Sequence, residues 1–192
     1  MIFMSNNKGF FKLIVPAKII YVDGLKKPSA PRGGEPRYNC LCLVNKSNAR
    51  AMNDLKATYA EVEAWGIKNK WNGRKPAAVS FEATFPDAVE SKGETDWAQG
   101  NLCFSPKSSY IPPVIDGDNE EIAPENYYNG MDCLVCVLVY AYLNDQGGKG
   151  ISSILRSIKW LGTGEEIEVG TDAAADFKDY EQQDKTDWGA YV

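Results

Sequence analysis

The chain of 192 residues contains no histidine. That removes the commonest general base and the commonest zinc ligand together. No run approaches the roughly 18 consecutive apolar residues of a membrane span. The first residues, MIFMSNNKGFF, lack the basic start and long apolar stretch of a secretory signal. The expectation is therefore a cytoplasmic protein with no membrane partner. Five cysteines, at 40, 42, 103, 133 and 136, are an odd number for such a chain, so no disulfide framework is expected.

What the chain does have is an uneven charge. Its net charge is −5, yet residues 1–75 hold 14 Lys/Arg against 5 Asp/Glu. Residues 76–164 hold 5 against 12, and residues 165–192 hold 2 against 9. A basic first third followed by an acidic end suggests a polyanion site and a segment able to compete for it.

Along the chain, FFKLIVPAKIIYV (10–22) reads as a long strand, with Pro16 marking a bulge or an edge. The segment 23–36 is a long basic loop rich in proline and glycine, and 37–46 is a second strand. A helix follows, with Asn48 as N-cap and Met52, Leu55, Tyr59 and Val62 recurring on one face before Gly66. VSFEATF (79–85) and NLCFS (101–105) read as short strands, and an acidic connection rich in proline and glycine covers 106–126. MDCLVCVLVYAYL (131–143) is continuously apolar and β-branched, which predicts burial on both faces or nearly so. The turn NDQGGKG joins it to ISSILRSIKWL (151–161) as a hairpin. Beyond Gly164 no amphipathic period survives, and high charge predicts a disordered tail. The sum is an all-β core with one inserted helix. Its five or six strands suit a small closed or partly closed barrel better than a sandwich.

Metal and catalytic readings fail on spacing. Cys40-Leu-Cys42 and Cys133-Leu-Val-Cys136 lie inside strand patterns, where residues three apart point to opposite faces. Buried thiols acting as small hydrophobes fit better than zinc. Asp116-Gly-Asp118-Asn-Glu120 resembles a calcium loop, but Glu121 and Tyr127 stand where the loop requires glycine and glutamate. Gly147-Gly148-Lys149-Gly150 lacks the strand-to-helix context of a phosphate cradle and reads as a hairpin turn whose lysine touches a phosphate. No catalytic constellation is visible, so no enzyme, cofactor or metal is expected.

The positive signal is basic and aromatic residues side by side, the mixture that holds single strands: cations track phosphates while rings stack on bases. Candidate nucleic-acid-binding residues are Lys18, Arg37, Tyr38, Lys46, Lys68, Lys70, Trp71, Arg74, Lys75, Lys107, Tyr110, Tyr140, Tyr142, Lys149, Arg156 and Trp160. Trp71, in a polar loop among basic neighbours, is expected to be exposed, and Tyr59 to be core. Tyr140 and Tyr142 share one strand face, which is either core or stacking platform.

Three stretches together, the long first strand, GGEPRYNCLCLVNK with the helix after it, and YYNGMDCLVCVLVYAYLNDQGGKGISSILRSIKWLGTGEEI, resemble a phage family once labelled only as a domain of unknown function. It is similar in organisation to the single-stranded DNA-binding replication proteins of tailed phages. The resemblance spans residues 10–164 plus the character of the tail, and departs from the pattern in an acidic segment at 86–126 and in ending on Val192. It implies an OB-fold core, a five-stranded Greek-key barrel, over residues 1–164, with a tail over 165–192. It implies sequence-independent binding and protection of single-stranded DNA in replication and recombination, often as dimers. It also implies a tail that occupies the DNA groove and recruits the replication polymerase and helicase. The tail residues that would do so are Asp176, Phe177, Asp179, Tyr180, Asp184, Asp187, Trp188 and Tyr191. The competing expectation is a phage interaction or scaffold protein without nucleic-acid affinity.

Overall fold

The computed structural model describes residues 9–30 and 34–169. Strand β1, Phe10–Ile20, alternates along its length: Phe11, Leu13, Val15, Ala17 and Ile19 point into the core, while Lys12, Ile14, Pro16 and Lys18 point out. Pro16 sits where β1 has one open edge. The ladder to β3 (Leu41–Asn45) begins only at Lys18, so the missing N–H is tolerated there. After Tyr21 comes a single helical turn, α1 (Asp23–Lys26), then β2 (Tyr38–Asn39) and β3.

Helix α2, Ala49–Asn69, starts at Asn48, whose side-chain oxygen accepts the Ala51 N–H at 3.1 Å. Its buried stripe, Ala51, Leu55, Thr58, Tyr59, Val62 and Gly66, packs on β1 and on β7 (Met131–Leu143). Gly66 does not end the helix. A Cβ there would meet the Trp71 ring at 2.6 Å, so the glycine is the slot into which that ring fits. This packing outweighs the roughly 1 kcal/mol that glycine costs inside a helix.

The strand expected at 79–85 is instead helical over α3, Phe81–Thr84. Ser80 caps it by accepting the Ala83 N–H, and Phe81 and Phe85 join an aromatic chain running from Tyr59 to Phe104. The β-propensity of VSFEATF is overridden by the cap and by this packing. Helix α4, Ala88–Lys92, and strand β4, Asn101–Phe104, follow. Strands β5 (Lys107–Ser108) and β6 (Val114–Ile115) both run parallel to β8 (Lys149–Trp160), and a 3-10 turn lies at Pro124–Asn126.

The sheet order is β2-β5-β8-β7-β1-β3-β4, with β6 beside β8. The sheet curls into a half-barrel around the core, and the fold is mostly β. Only one face of β7 is fully buried, by Met131, Cys133, Val135, Val137, Val139 and Ala141; the other is half-exposed. On β8 the register shifts opposite Cys136/Val137, leaving Arg156 as an extra residue. The bulge lets Leu155 and Ile158, three apart, both face the core.

After β8 the chain turns back along residues 128–132. The Trp160 indole and the Tyr128 hydroxyl donate to the carbonyls of Thr163 and Gly164, and the Ile167 N–H donates to the Asn129 carbonyl. Ile167 and Val169 pack on a second apolar cluster of Ile20, Leu41, Leu43, Ala88, Ala98 and Cys103. The chain is therefore held against the core through Val169.

Candidate nucleic-acid interface

Strand register places the outward side chains of β1, β7, β8 and β5 in rows across one surface. Tyr142 lies opposite Gly150, and Phe10, Tyr140 and Ser152 form the next row. Lys12, Leu138, Ile154 and Lys107 follow, then Ile14, Cys136 and Ser157, then Pro16, Leu134 and Lys159, and last Lys18 with Asp132. Ile14 is 39 % exposed, although it sits mid-strand in a hydrophobic run. Neither apolar core cluster takes in Phe10, Ile14, Leu134, Leu138, Tyr140, Tyr142 or Ile154. Among the described residues this sheet face is half-exposed, with Ile14 open and Lys159 bonded at 2.9 Å to Asn119 of the acidic 116–121 loop.

Local sequence explains how the rings are held. Tyr140 is tilted against Phe10 at 5.5 Å between centroids, with the small Ser152 on its other side. A Cβ on Gly150 would meet the Tyr142 ring at 2.7 Å, so glycine lets that ring lie across the neighbouring strand. The turn beyond is closed by the Gly148 N–H to the Asn144 side chain at 2.6 Å, with Gly147 at φ 80°.

Among the described residues the unpaired charge in these rows is positive. Lys12, Lys107 and the bulged Arg156, with Lys149 at the hairpin end, make no ion pair among the described residues. The carboxylate of the rows, Asp132, is neutralised by Lys18 at 2.8 Å, and Lys18 also donates to the Gly130 carbonyl. Such a surface offers rings for bases and ammonium and guanidinium groups for phosphates.

Of the residues predicted from sequence, Lys18, Lys107, Tyr140, Tyr142 and Arg156 come together here, while Lys149, opposite Leu143, stands on the other side of the hairpin end. Tyr140 and Tyr142 are thereby resolved as outward and half-buried, outside the core clusters. Tyr110, 82 % exposed, lies two residues beyond β5. Phe10, Lys12, Ile14, Leu138 and Ile154 were not singled out from sequence. The signal that finds them is the period-2 alternation of β1 and β8, which puts them in register with Tyr140.

Trp71 requires a correction. It is 1 % exposed, its ring fills the Gly66 slot, and its indole N–H donates to the Tyr142 carbonyl at 3.0 Å. It is a core residue beneath the aromatic end of the face and offers no ring face for stacking. Trp160 is likewise tied down: half-buried, bonded to the Thr163 carbonyl and edge-on to Tyr128 at 6.3 Å. Its partner on β7 is Cys133, a core-facing residue, so it stands outside the tyrosine rows.

The remaining candidates are dispersed. Arg37 is engaged by Glu35 at 2.7 Å and by Ser109 at 2.6 Å, and half-buried Tyr38 pairs with Ser108. Lys46 is paired with Asp87; its hydrogen bond, with a second from the Val89 N–H, holds the Asp87 carboxyl below its ordinary value. Lys68, Lys70, Arg74 and Lys75 cluster around the C-terminal end of α2, which adjoins the Tyr142 end of β7 through Trp71. Lys70 sits over the Trp65 ring at 5.9 Å. Lys75 binds Glu63 at 2.6 Å and lies 5.7 Å from the Tyr59 ring. Burial and the hydrogen bond to Glu63 push the Tyr59 hydroxyl up to about 12. Partial burial acts to raise the Glu63 carboxyl, but the bonds from Lys75 and Tyr59 bring it below its usual value. The tail positions 176, 177, 179, 180, 184, 187, 188 and 191 lie outside the described residues.

Cys40, Cys42, Cys103 and Cys133 are buried, and Cys40 and Cys42 sulfurs lie 3.8 Å apart. Burial raises the Cys133 thiol to about 12 and pushes Cys42 well up, the opposite of what a thiolate ligand needs. Among the described residues no group of His, Cys, Asp or Glu is arranged to hold a metal ion, and no helix is long and apolar enough to cross a membrane.

Comparison with known proteins follows the same direction. A curated relative, protein p50 of Acyrthosiphon pisum secondary endosymbiont phage 1, is 27% identical over 142 residues, covering 71% of this chain and 75% of the relative. The single-stranded DNA-binding protein of bacteriophage Enc34 superposes with a TM-score of 0.65 at 22% identity, covering 90% of this chain and 91% of the other. The same protein in complex with ssDNA gives 0.65 at 21% identity, with 88% and 98% covered. The profile of the family described as Enterobacter phage Enc34, ssDNA-binding protein, matches residues 14–187. The chain belongs to that family of phage proteins.

Proposed function

We propose that this protein binds single-stranded DNA without sequence preference, with the strand lying along the outer face of β1, β7, β8 and β5. The observation that carries this reading is that face itself: Phe10 tilted against Tyr140, Tyr142 one row beyond, half-exposed aliphatic side chains with Ile14 open, Lys12, Lys107 and Arg156 without an ion pair among the described residues, and Asp132 already neutralised. Membership of a family described as ssDNA-binding supports it. Bases stack on the rings and the cations follow the backbone, and nothing in this arrangement distinguishes one base from another.

The strand order also supports an OB-type barrel. β4 and β5 are separated only by Ser105 and Pro106, yet β4 pairs β3 and β5 pairs β8. Counted as one bent strand, they close a ring of five in which the third strand meets the fifth in parallel, the pairing order of a Greek-key OB barrel.

Within this reading the protein acts in phage DNA replication and recombination in the host cytoplasm, as a binding protein rather than an enzyme. The acidic segment beyond Val169, with two Lys against six Asp/Glu, competes for the same face and recruits the replication polymerase and helicase. Homodimers are part of the same proposal. The test is fluorescence anisotropy of a labelled oligo-dT of about 30 nucleotides at about 50 mM salt, with the full chain and with a chain ending at Val169. Binding is expected for both, tighter for the shorter one at low salt, where the Debye length is long. Absence of binding by both would end the proposal, and equal affinities would remove the competing tail from it.

A further inference from the structure

We propose that the cleft between the end of β1 and the basic loop that follows is a second contact point for the strand, holding one nucleotide with its base on Tyr21 and its phosphate at Lys27. This rests on the reading that the protein binds single-stranded DNA, and it adds a subsite remote from the tyrosine rows.

Tyr21 directly follows β1 with φ 58°, in the left-handed region that aromatic side chains rarely adopt. A backbone held there costs on the order of 1–3 kcal/mol and concentrates at functional positions. Its ring is 42 % exposed, and T-shaped packing on Trp97, at 6.4 Å and 83°, fixes its orientation without covering it. The cleft beside it has a volume of about 440 Å³, within the range of small-ligand sites, and is lined by Lys27, Ser29, Asn39 and Asn129 among others.

The polar groups there fit a nucleotide. Asn129 uses its carbonyl oxygen to accept the Val22 N–H at 3.1 Å, and its NH2 has no acceptor among the described residues, leaving a donor for a base edge. Lys27 is exposed and makes no ion pair among the described residues. Asp23, the carboxylate of the cleft, is paired with Lys26 at 3.2 Å. Among the described residues the cleft thus presents a ring, the Asn129 NH2 and one cation without an ion pair, the Asn39 NH2 being taken by Ser29 and the Arg37 carbonyl.

Tyr21 lies eleven residues along the chain from Phe10, about 36 Å at the rise of a strand. One strand engages both the tyrosine rows and this cleft only if it runs the length of β1.

The experiment is binding of an oligo-dT of about 20 nucleotides to the full chain and to three variants, with melting temperatures recorded in parallel. Tyr21→Gly removes the ring and relieves the left-handed backbone, so the protein should melt no lower than the parent while its affinity drops about fivefold to tenfold. Tyr21→Phe keeps the ring and should bind like the parent, and Lys27→Ala should lose affinity with unchanged melting. With 5-iodouracil in the oligonucleotide, photo-crosslinks should include Tyr21. If the parent binds and Tyr21→Gly and Lys27→Ala bind equally well, the second contact is refuted and the tyrosine rows stand alone. If the parent does not bind at all, both the general reading and this one fall.

Discussion

The Trp71 indole N–H donates to the Tyr142 carbonyl oxygen at 3.0 Å, with the Trp71 ring seated over Gly66. The end of α2 is thereby fastened to the strand that carries both tyrosines. Trp71→Ala should cost about 3–5 kcal/mol, because it empties a fully enclosed site and leaves a backbone carbonyl without its donor. Chemical denaturation checks this, and a loss below about 1 kcal/mol would contradict the core assignment.

Salt dependence follows from the cations on the face. Lys12, Lys107 and Arg156 have no ion-pair partner among the described residues and are free to neutralise phosphates. Three such contacts give a slope of log K against log salt of about −2 for single strands. Removing one of them, as in Lys12→Ala, should make the slope shallower by about 0.7. Titrations at several salt concentrations measure both.

Thiol chemistry separates the five cysteines. Four are buried, and Cys136 alone is partly open, on the proposed DNA face between Ile14 and Ser157. A thiol reagent should label about one group per native chain and all five after unfolding. Bound oligo-dT should slow labelling at Cys136.

Acid should destabilise the fold through two carboxyls. The hydrogen bond from Lys46 lowers Asp87; at Glu63, burial is outweighed by the bonds from Lys75 and Tyr59. A depressed folded value contributes stability above the ordinary carboxylate range and loses it as pH falls through the folded value. Melting temperature should therefore decline between about pH 5 and pH 3, and Asp87→Asn should flatten part of that decline.

Much of this was legible in the sequence where one local rule decides. The N-cap at Asn48, the apolar stripe of α2 and the β7–β8 hairpin all follow from spacing and turn residues alone. Trp71 was misread because its neighbours are polar and basic. Its burial depends on a glycine five residues earlier in the chain and on a carbonyl 71 residues away. VSFEATF was misread because β-branched and aromatic residues favour strands, whereas the Ser80 cap and the aromatic chain to Phe104 decide the outcome. The proposed DNA face itself was half visible. Tyr140 and Tyr142 announce a shared side of one strand, but Phe10, Lys12 and Ile154 join them only through the register of three strands.

The most direct test of the proposed interface is oligo-dT affinity of the Tyr140→Ala, Tyr142→Ala double variant beside the parent, with melting curves for both. Each ring is worth about 1–3 kcal/mol in stacking, so the double variant should bind at least about twentyfold more weakly while melting within a few degrees of the parent. Parent-like affinity in a folded double variant would contradict the assignment of DNA to this face.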